Sequence, residues 1–389
     1  MPKLARRITE TSPKSYGMVA KAAGVDHTNR DIIHLELGKP HHTTPEHIVE
    51  ATVTALRNGA VHYSDLPGLP EFRAAIRDKL NSYNGIDAGT DDIIVTNGLT
   101  QASFAAFMAL VDDGDEVILL EPYYPQHLGK IEIAGGRPVI VALDPKNDYA
   151  IDPKAIEKAI TPRTKAIVLV NPCNPTGRAY SREELSGVAE LAQRHDLYVI
   201  ADEVYDQIVF DGAAHVSIAS LPGMRDRTVS MYAFTKSFAM DGWRLGYVTA
   251  GPEVLGAIAK VVATEVTHVN TFIQHGGIAA LTGPSEILAD MVADDQRKRD
   301  LVVERLNQMP GVTCALPQGT IYAFPNISGT GLKSQDAADR LLEEADVVVE
   351  SGAFYGAAGE GYLRVCFGSE SFERLELAMD RMQAYFNGL

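Results

Sequence analysis

The stretch SMYAFTKSFAMDGWRLGYVTAG (230–251) places one lysine and one arginine between two apolar runs. Both runs are short and rich in β-branched and aromatic residues, a composition typical of buried strands. Lys236 follows the first run, and Arg244 directly precedes the second. Ligands in open α/β sheets bind at the carboxyl ends of the strands, so both cations are candidates for a binding site.

Strand-like and helix-like segments alternate upstream of this stretch. The strand-like segments are apolar on both faces, which indicates central strands of a mostly parallel sheet covered by helices. The predicted fold class is therefore α/β with a seven-stranded sheet. The predicted strands lie within 91–98, 114–122, 137–143, 165–172, 197–205, 228–234 and 243–251.

The pattern changes after Pro284, where a long charged helix is predicted over 284–308. Beyond it, short apolar segments and helices follow one another in an α+β order. The first forty residues show no apolar core of their own, so we expect them to pack against this region. The sequence thus predicts a large α/β domain at 45–290 and a smaller α+β domain built from 1–44 and 291–389.

The composition limits the class of partner and compartment. A formal net charge of -16 argues against nucleic acid or an anionic membrane as a partner, because both attract basic surfaces. Cys173, Cys314 and Cys366 are far apart, which favours a reduced compartment over a disulfide framework. No signal peptide or membrane span is recognised, so we expect a cytoplasmic protein.

Two other cofactor classes find little support. His41, His42 and His47 could suggest a metal, but no carboxylate or cysteine at ligand spacing accompanies them in the sequence. We therefore expect ordinary histidines of a polar loop and no metal. A GxGxxG segment between a strand and a helix is absent, so nicotinamide binding is unsupported.

Several residues at predicted strand ends could bind a phosphorylated aldehyde. Gly98, Leu99 and Thr100 open a helix, whose first backbone N–H groups favour a phosphate. Arg244 offers a planar guanidinium that can bind phosphate through two hydrogen bonds. Lys236 can form a Schiff base with an aldehyde if burial or a nearby cation leaves its amine partly deprotonated.

Other strand ends offer partners for an aromatic ring. Asp202 could pair with a protonated ring nitrogen, Asn174 and Tyr205 could bind a phenolic oxygen, and Tyr123 or Tyr124 could stack on the ring. Each residue alone also has an ordinary structural explanation, such as a turn residue or a solvated strand end. Together, the groups describe a site for pyridoxal 5'-phosphate (PLP).

Several segments resemble motifs of the class I/II aminotransferases, the fold-type I PLP enzymes related to aspartate aminotransferase. The resemblance covers nearly the whole chain in order, and it implies that family's fold, with a large sheet domain and a smaller domain. The segments are LELGKP (35–40), HYSDLPGLPEFRAAI (62–76), NPCNPTG (171–177), ADEVY (201–205), SFAMDGWRLGY (237–247) and GYLRVCFG (361–368).

The resemblance implies roles around the cofactor ring. Lys236 corresponds to the lysine that binds the cofactor as a Schiff base and shuttles protons. Asp202 corresponds to the acid that pairs with the pyridine nitrogen, and Tyr205 and Asn174 to residues at the phenolic oxygen. Tyr124 corresponds to the ring-stacking aromatic residue. The implied catalytic residues are Lys236, Asp202 and Tyr205.

The resemblance also implies a phosphate site and a dimer. Arg244 and the backbone N–H groups of Leu99 and Thr100, beside Gly98, correspond to the phosphate-binding groups. Tyr63 corresponds to a tyrosine that reaches the phosphate from the neighbouring subunit. A homodimer with shared active sites is therefore implied.

The substrate α-carboxylate is implied to bind Arg364, with help from Asn174 and the backbone of Gly38. The chain departs from the family pattern at two positions. Ala233 replaces a serine that contacts phosphate in many relatives. Thr100 stands where some aspartate-specific relatives carry a lysine, which weakens a prediction of dicarboxylate substrates.

The predicted function is PLP-dependent transfer of an amino group from an L-amino acid to a 2-oxo acid by a ping-pong mechanism. A β-eliminating lyase acting on cysteine S-conjugates is the alternative, because it would use the same cofactor residues. A PLP-binding regulatory domain is a remote alternative, since it would need a DNA-binding module and a basic face in an otherwise acidic chain.

Overall fold

The structure, a computed structural model, describes residues 2–11, 17–25 and 30–389. Short strands alternate with helices over most of these ranges. The strands are β1 (Ile33–His34), β2 (Ile93–Thr96), β3 (Glu116–Glu121), β4 (Arg137–Ala142), β5 (Thr164–Val170), β6 (Tyr198–Asp202), β7 (Thr228–Ala233), β8 (Gly246–Thr249), β9 (Tyr322–Ala323), β10 (Val347–Val348), β11 (Glu350–Ser351) and β12 (Leu363–Cys366).

The long charged helix predicted over 284–308 is present at Ser285–Leu306. Ser181 and Glu184 form a capping box, and the Asp152 side chain caps its helix by accepting from Lys154 N. The helices are α1 (Arg6–Thr9), α2 (Gly17–Ala23), α3 (Glu46–Arg57), α4 (Pro70–Ser82), α5 (Gly98–Leu110), α6 (Pro125–Ile133), α7 (Pro153–Ala159), α8 (Arg182–Arg194), α9 (Pro252–Glu265), α10 (Thr271–Thr282), α11 (Ser285–Leu306), α12 (Ser334–Ala345) and α13 (Phe372–Asn387).

The predicted seven-stranded sheet is confirmed, with strand order β2-β8-β7-β6-β5-β3-β4. β8 runs antiparallel to both of its neighbours, and the remaining pairs are parallel. Every residue of β2, β3 and β8 is buried, which explains why these strands are apolar on both faces. The edge strand β4 is mostly exposed or half-buried.

A second, smaller assembly brings the two ends of the chain together. β1 pairs in parallel with β10, and β9, β11 and β12 form a separate antiparallel sheet. One buried cluster joins Ile33 and Leu35 to Val347 of β10 and Leu363 of β12. Side chains of α12 and α13 belong to the same cluster. The domain boundaries at 44/45 and 290/291 stay a prediction, since α11 continues across residue 290.

The carboxyl ends of the central strands meet at one edge of the large sheet, as parallel strands require. β6 ends at Asp202, β2 is followed by Gly98, and β7 is followed by Thr235 and Lys236. None of the helices in the described ranges combines the length and the apolar character needed to cross a bilayer.

Candidate active site

Asp202 and His127 form a buried pair at the end of β6. His127 Nε2 lies 2.9 Å from Asp202 Oδ2, and the two residues are 0% and 3% exposed. Burial lowers the pKa of His127, so its imidazole is neutral at pH 7. Because a carboxylate only accepts hydrogen bonds, the ring proton of His127 is on Nε2, which donates a hydrogen bond to Asp202.

His127 is a site residue that was not predicted from the sequence. It lies on α6, three residues after Tyr124, in a segment that matches no motif considered from the sequence. The only local signal was a histidine placed early in a helix beside a predicted stacking tyrosine. The ring of Tyr124 meets that of His127 edge-on at a centroid distance of 5.4 Å.

Tyr205 is fixed by a second tyrosine that the sequence analysis also missed. The hydroxyl of Tyr205 lies 2.8 Å from that of Tyr322, and both side chains are buried. In the turn between Asp202 and Tyr205, Val204 N donates to Asp202 Oδ1 at 3.3 Å. Asp202 and Tyr205 are therefore presented by one short turn at the carboxyl end of β6.

Arg364 is a buried cation with aromatic neighbours. It donates to Asn174 Oδ1 at 3.3 Å and to the backbone oxygen of Glu36. Its guanidinium carbon lies 4.3 Å from the ring centroid of Tyr322 and 5.1 Å from that of Tyr355. Its Nε is buried without a hydrogen-bond partner among the described residues, so one donor is free for a ligand.

Lys236 is half-buried just beyond β7, and its Nζ donates to the backbone oxygen of Gly38. Burial is the main cause that lowers the pKa of the Lys236 amine to about 8. Cys366 acts in the opposite direction on this pKa, and the positive charge of Arg364 lowers it further. A side chain at position 38 would collide with the hydroxyl of Tyr322. Glycine at that position therefore allows the backbone to approach the lysine.

Gly98 and Arg244 form a cradle at the start of α5. Gly98 has a φ of 74°, and a Cβ there would lie 2.6 Å from Nη2 of Arg244. Arg244 itself has a φ of 56°, and its Nη1 donates to the backbone oxygen of Asp241 at 2.8 Å. The backbone N–H groups of Leu99 and Thr100, in the first turn, have no acceptor within the helix.

All but one of the predicted site residues lie in one region, linked by these contacts and by electrostatic interactions. Burial raises the pKa of Tyr124, and both Asp202 and Arg364 act on its phenol electrostatically. Arg244 of the phosphate cradle acts on the same phenol. Tyr63 differs, because it is 88% exposed and its ring packs against His268 at 4.7 Å.

The expectation that no carboxylate accompanies the loop histidines is wrong for His42. Its Nε2 lies 3.5 Å from Asp294 and 3.6 Å from Asp295, two residues of α11 that are more than 240 positions away in the chain and so gave no local signal. Lys298 Nζ lies 2.7 Å from Asp294 and already balances that charge. The prediction that the chain binds no metal stays a prediction.

Comparison with known proteins gives consistent matches over almost the whole chain. The family model for aminotransferase class I and II matches residues 30–382. The chain is 39% identical over 357 residues to an aspartate aminotransferase of Pyrococcus abyssi, with 91% of each chain covered. It is 38% identical over 355 residues to an aromatic-amino-acid aminotransferase 2 of Thermococcus litoralis, covering 90% of this chain and 91% of that one.

A solved structure agrees with the sequence matches. The chain resembles a single mutant of Thermus thermophilus aspartate aminotransferase with a TM-score of 0.93 and 35% sequence identity, covering 99% of this chain and 100% of that one. The predicted family, the fold-type I architecture and the predicted enzyme class are thereby confirmed. This chain belongs to the class I and II aminotransferases, a PLP-dependent family of enzymes that transfer amino groups.

Proposed function

We propose that the site around Lys236, Asp202 and Arg364 binds PLP and transfers the amino group of an L-amino acid to a 2-oxo acid. The observation that carries this proposal is the arrangement of the three side chains. A lysine with a lowered pKa, a buried carboxylate and a buried arginine with a free donor lie in one connected set of contacts.

The residues present fit the cofactor. The first turn of α5 and the guanidinium of Arg244 would hold the phosphate, and the glycine at position 98 leaves room for close approach. Asp202, which accepts a hydrogen bond from His127, would pair with a protonated ring nitrogen. Tyr205 and Asn174 would bind the phenolic oxygen, and Tyr124 would cover the ring.

When bound, PLP would supply an electron sink for the electrons released at the substrate Cα. Lys236 supplies the base, because a pKa of about 8 leaves a useful fraction of its amine unprotonated near neutral pH. The hydrogen bond to Gly38 fixes the position of Nζ. From there, the amine takes the proton of the substrate Cα and holds it as an ammonium group.

Arg364 would select substrates that carry an α-carboxylate. Its guanidinium offers parallel donors that match a carboxylate, and the rings of Tyr322 and Tyr355 hold its plane in place. The carboxylate would complete the hydrogen bonding of the buried Nε. Asn174 and the backbone of Gly38 would line the same position.

The exposure of Tyr63 supports the proposal that the enzyme is a homodimer with shared active sites. A tyrosine that is 88% exposed in one chain has a large apolar surface available for burial against a partner. We assign Tyr63 to the phosphate site of the neighbouring subunit. The cytoplasmic location also stays a prediction.

The proposed function is tested by a half-reaction in which an amino acid is the only substrate. Each site should release one equivalent of 2-oxo acid and then stop until a second 2-oxo acid is added. Lys236→Ala provides the blank, because it lacks the base. Continuous release of ammonia and 2-oxo acid would identify β-elimination instead and would overturn the proposal.

A further inference from the structure

The turn after β6 has side chains in two different environments. Asp202 and Tyr205 contact the candidate active site, as described above. Glu203 and Asp206, their neighbours in sequence, contact a separate set of buried polar groups. Asp206 N donates to the backbone oxygen of Glu203 at 3.1 Å, which closes the turn. We call these buried groups the anchor cluster; its members are Lys79, Asn84, Glu203, Asp206, His215, Ser217 and Tyr232.

Glu203 is fully buried and is bound at both carboxyl oxygens. The Tyr232 hydroxyl donates to Oε2 at 2.6 Å, and the Ser217 hydroxyl lies 2.8 Å from Oε1. Tyr232 belongs to β7 and Ser217 precedes a short 3-10 turn, so both partners lie outside the turn that follows β6. Glu203 therefore ties the turn to the neighbouring strand.

Asp206 ties the same turn to α4. It accepts from Lys79 Nζ at 2.5 Å and from Asn84 Nδ2 at 3.0 Å, and its backbone oxygen accepts from the Tyr83 hydroxyl at 2.8 Å. Lys79 also lies 4.7 Å from the ring centroid of Tyr232. The two attachments consequently share one buried cluster.

The charges in the anchor cluster are balanced without an ionised Glu203. Lys79 is paired with Asp206. His215 Nε2 donates to the backbone oxygen of Asn171 at 3.2 Å, and its buried Nδ1 has no partner among the described residues, as suits a neutral imidazole. Burial lowers the pKa of His215 to about 4 and raises that of Glu203 to about 8.

We propose that Glu203 and Asp206 are positioning residues that hold Asp202 and Tyr205 in place, and that Glu203 does so as an uncharged acid. The inference rests on the proposed function, in which Asp202 and Tyr205 contact PLP. Glu203 and Asp206 face the anchor cluster, so Asp202 is the carboxylate of the turn that faces the candidate active site. Loosening the turn would misplace both contacts, and small displacements of positioned groups have large effects on binding and rate.

The test compares Glu203→Gln with Glu203→Leu in cofactor-free protein. An uncharged acid accepts from Tyr232 and donates its own proton to Ser217 Oγ, whose hydroxyl can rotate to accept it. An amide can make the same two bonds, whereas leucine makes neither. PLP affinity is measured by fluorescence quenching, together with the absorption spectrum of the bound cofactor and the thermal unfolding midpoint. We expect PLP affinity within about twofold of the unaltered protein for the amide and about tenfold weaker for leucine.

Glu116→Leu is the matched control. Glu116 is a buried glutamate at the amino end of β3, the opposite end of the sheet, where it accepts from Thr161 Oγ1 at 2.6 Å. This change should lower the unfolding midpoint and leave PLP affinity and the spectrum unchanged. A purely structural role for Glu203 would instead make its leucine variant behave like the control.

If Glu203→Leu fails to fold, Tyr232→Phe and Ser217→Ala each remove one bond and should each weaken PLP binding about threefold. Unchanged PLP affinity in the leucine variant, or in both single-bond variants, would overturn the inference and leave the proposed function intact. If the amide variant binds PLP as weakly as the leucine variant, the proposal that Glu203 is uncharged is overturned. Failure of the unaltered protein to bind PLP would overturn the proposed function and the inference with it.

Discussion

His127 Nε2 donates to Asp202 Oδ2 at 2.9 Å, in a pair that is almost completely removed from solvent. The neutral imidazole stabilises the carboxylate through a hydrogen bond and adds no positive charge. Oδ2 of Asp202 is therefore bound by a neutral donor, and no cation at His127 competes with a positively charged ligand. His127 therefore belongs to the candidate site through its hydrogen bond to Asp202, although no sequence motif contains it.

Replacing His127 should weaken catalysis through Asp202. We expect His127→Leu to lower kcat/KM by about 10–100-fold, because a hydrogen bond to a charged group contributes about 1.5–3 kcal/mol. His127→Gln keeps an N–H donor and should lose less. Steady-state kinetics with one donor and one acceptor check this. His195→Leu, a change at an exposed helix end, is the control, and equal kinetics for all three variants would contradict the prediction.

The sequence predicted the large sheet well because its signals are local. Seven apolar segments became seven strands, although the segments were longer than the strands. β2 stops at Thr96 because Gly98 turns with a positive φ, and β6 stops at Asp202 because a turn follows. Asp202 was singled out because it stands within a contiguous motif, and Lys236 because it directly precedes one.

The remaining parts of the site depend on contacts between residues far apart in the chain. His127 meets Asp202 across 75 positions, and Tyr322 meets Tyr205 across 117. Neither contact leaves a periodic or motif signal in a single sequence. The anchor cluster was missed for another reason, since Glu203 and Asp206 are charged residue types that are usually exposed.

The lowered pKa of Lys236 predicts unusual reactivity in the cofactor-free protein. Its amine should react with an acylating reagent with a midpoint near pH 8, because the free base forms above the pKa of about 8. Exposed lysines of the same chain provide the reference, since ordinary lysines titrate near about 10.4. Labelling rates from pH 6 to 11, read by peptide mass spectrometry, check this, and a Lys236 midpoint equal to the reference would refute it.

Arg364→Lys should reduce recognition of the substrate carboxylate. A lysine keeps the charge but loses the parallel donors and the stacking on Tyr322, so we expect kcat/KM to fall about 100-fold. Arg340→Lys is the control, because Arg340 also lies over a tyrosine ring, at 5.4 Å, but on the surface. The loss in kcat/KM should be absent when the substrate is the corresponding amine, which lacks the carboxylate. A loss of the same size with both substrates would count against the assignment.

Gly98→Ala should damage the phosphate cradle in two ways. The new methyl group meets the guanidinium of Arg244 at 2.6 Å, and alanine at a φ of 74° costs about 1–2 kcal/mol of folding free energy. We expect weaker PLP binding and a lower free energy of unfolding in urea. Gly256→Ala is the control, because that glycine lies in α9 with open space around it and alanine should raise helix stability by up to about 1 kcal/mol. Gly98→Ala with unchanged PLP affinity would disprove the cradle.

Shared active sites predict that two inactive variants restore activity when their subunits are mixed. Lys236→Ala disables the site of its own chain, and Tyr63→Ala should disable the site of its partner. If subunits reassociate at random from an equal mixture, about half of the dimers contain one subunit of each variant. Each of these mixed dimers has one site in which Lys236 and Tyr63 are both intact. About a quarter of all sites should therefore recover activity. Activity is measured after mild denaturation and refolding of the mixture, with each variant refolded alone as the control. Recovery no greater than the sum of the two variants would show that Tyr63 acts within its own chain or not at all.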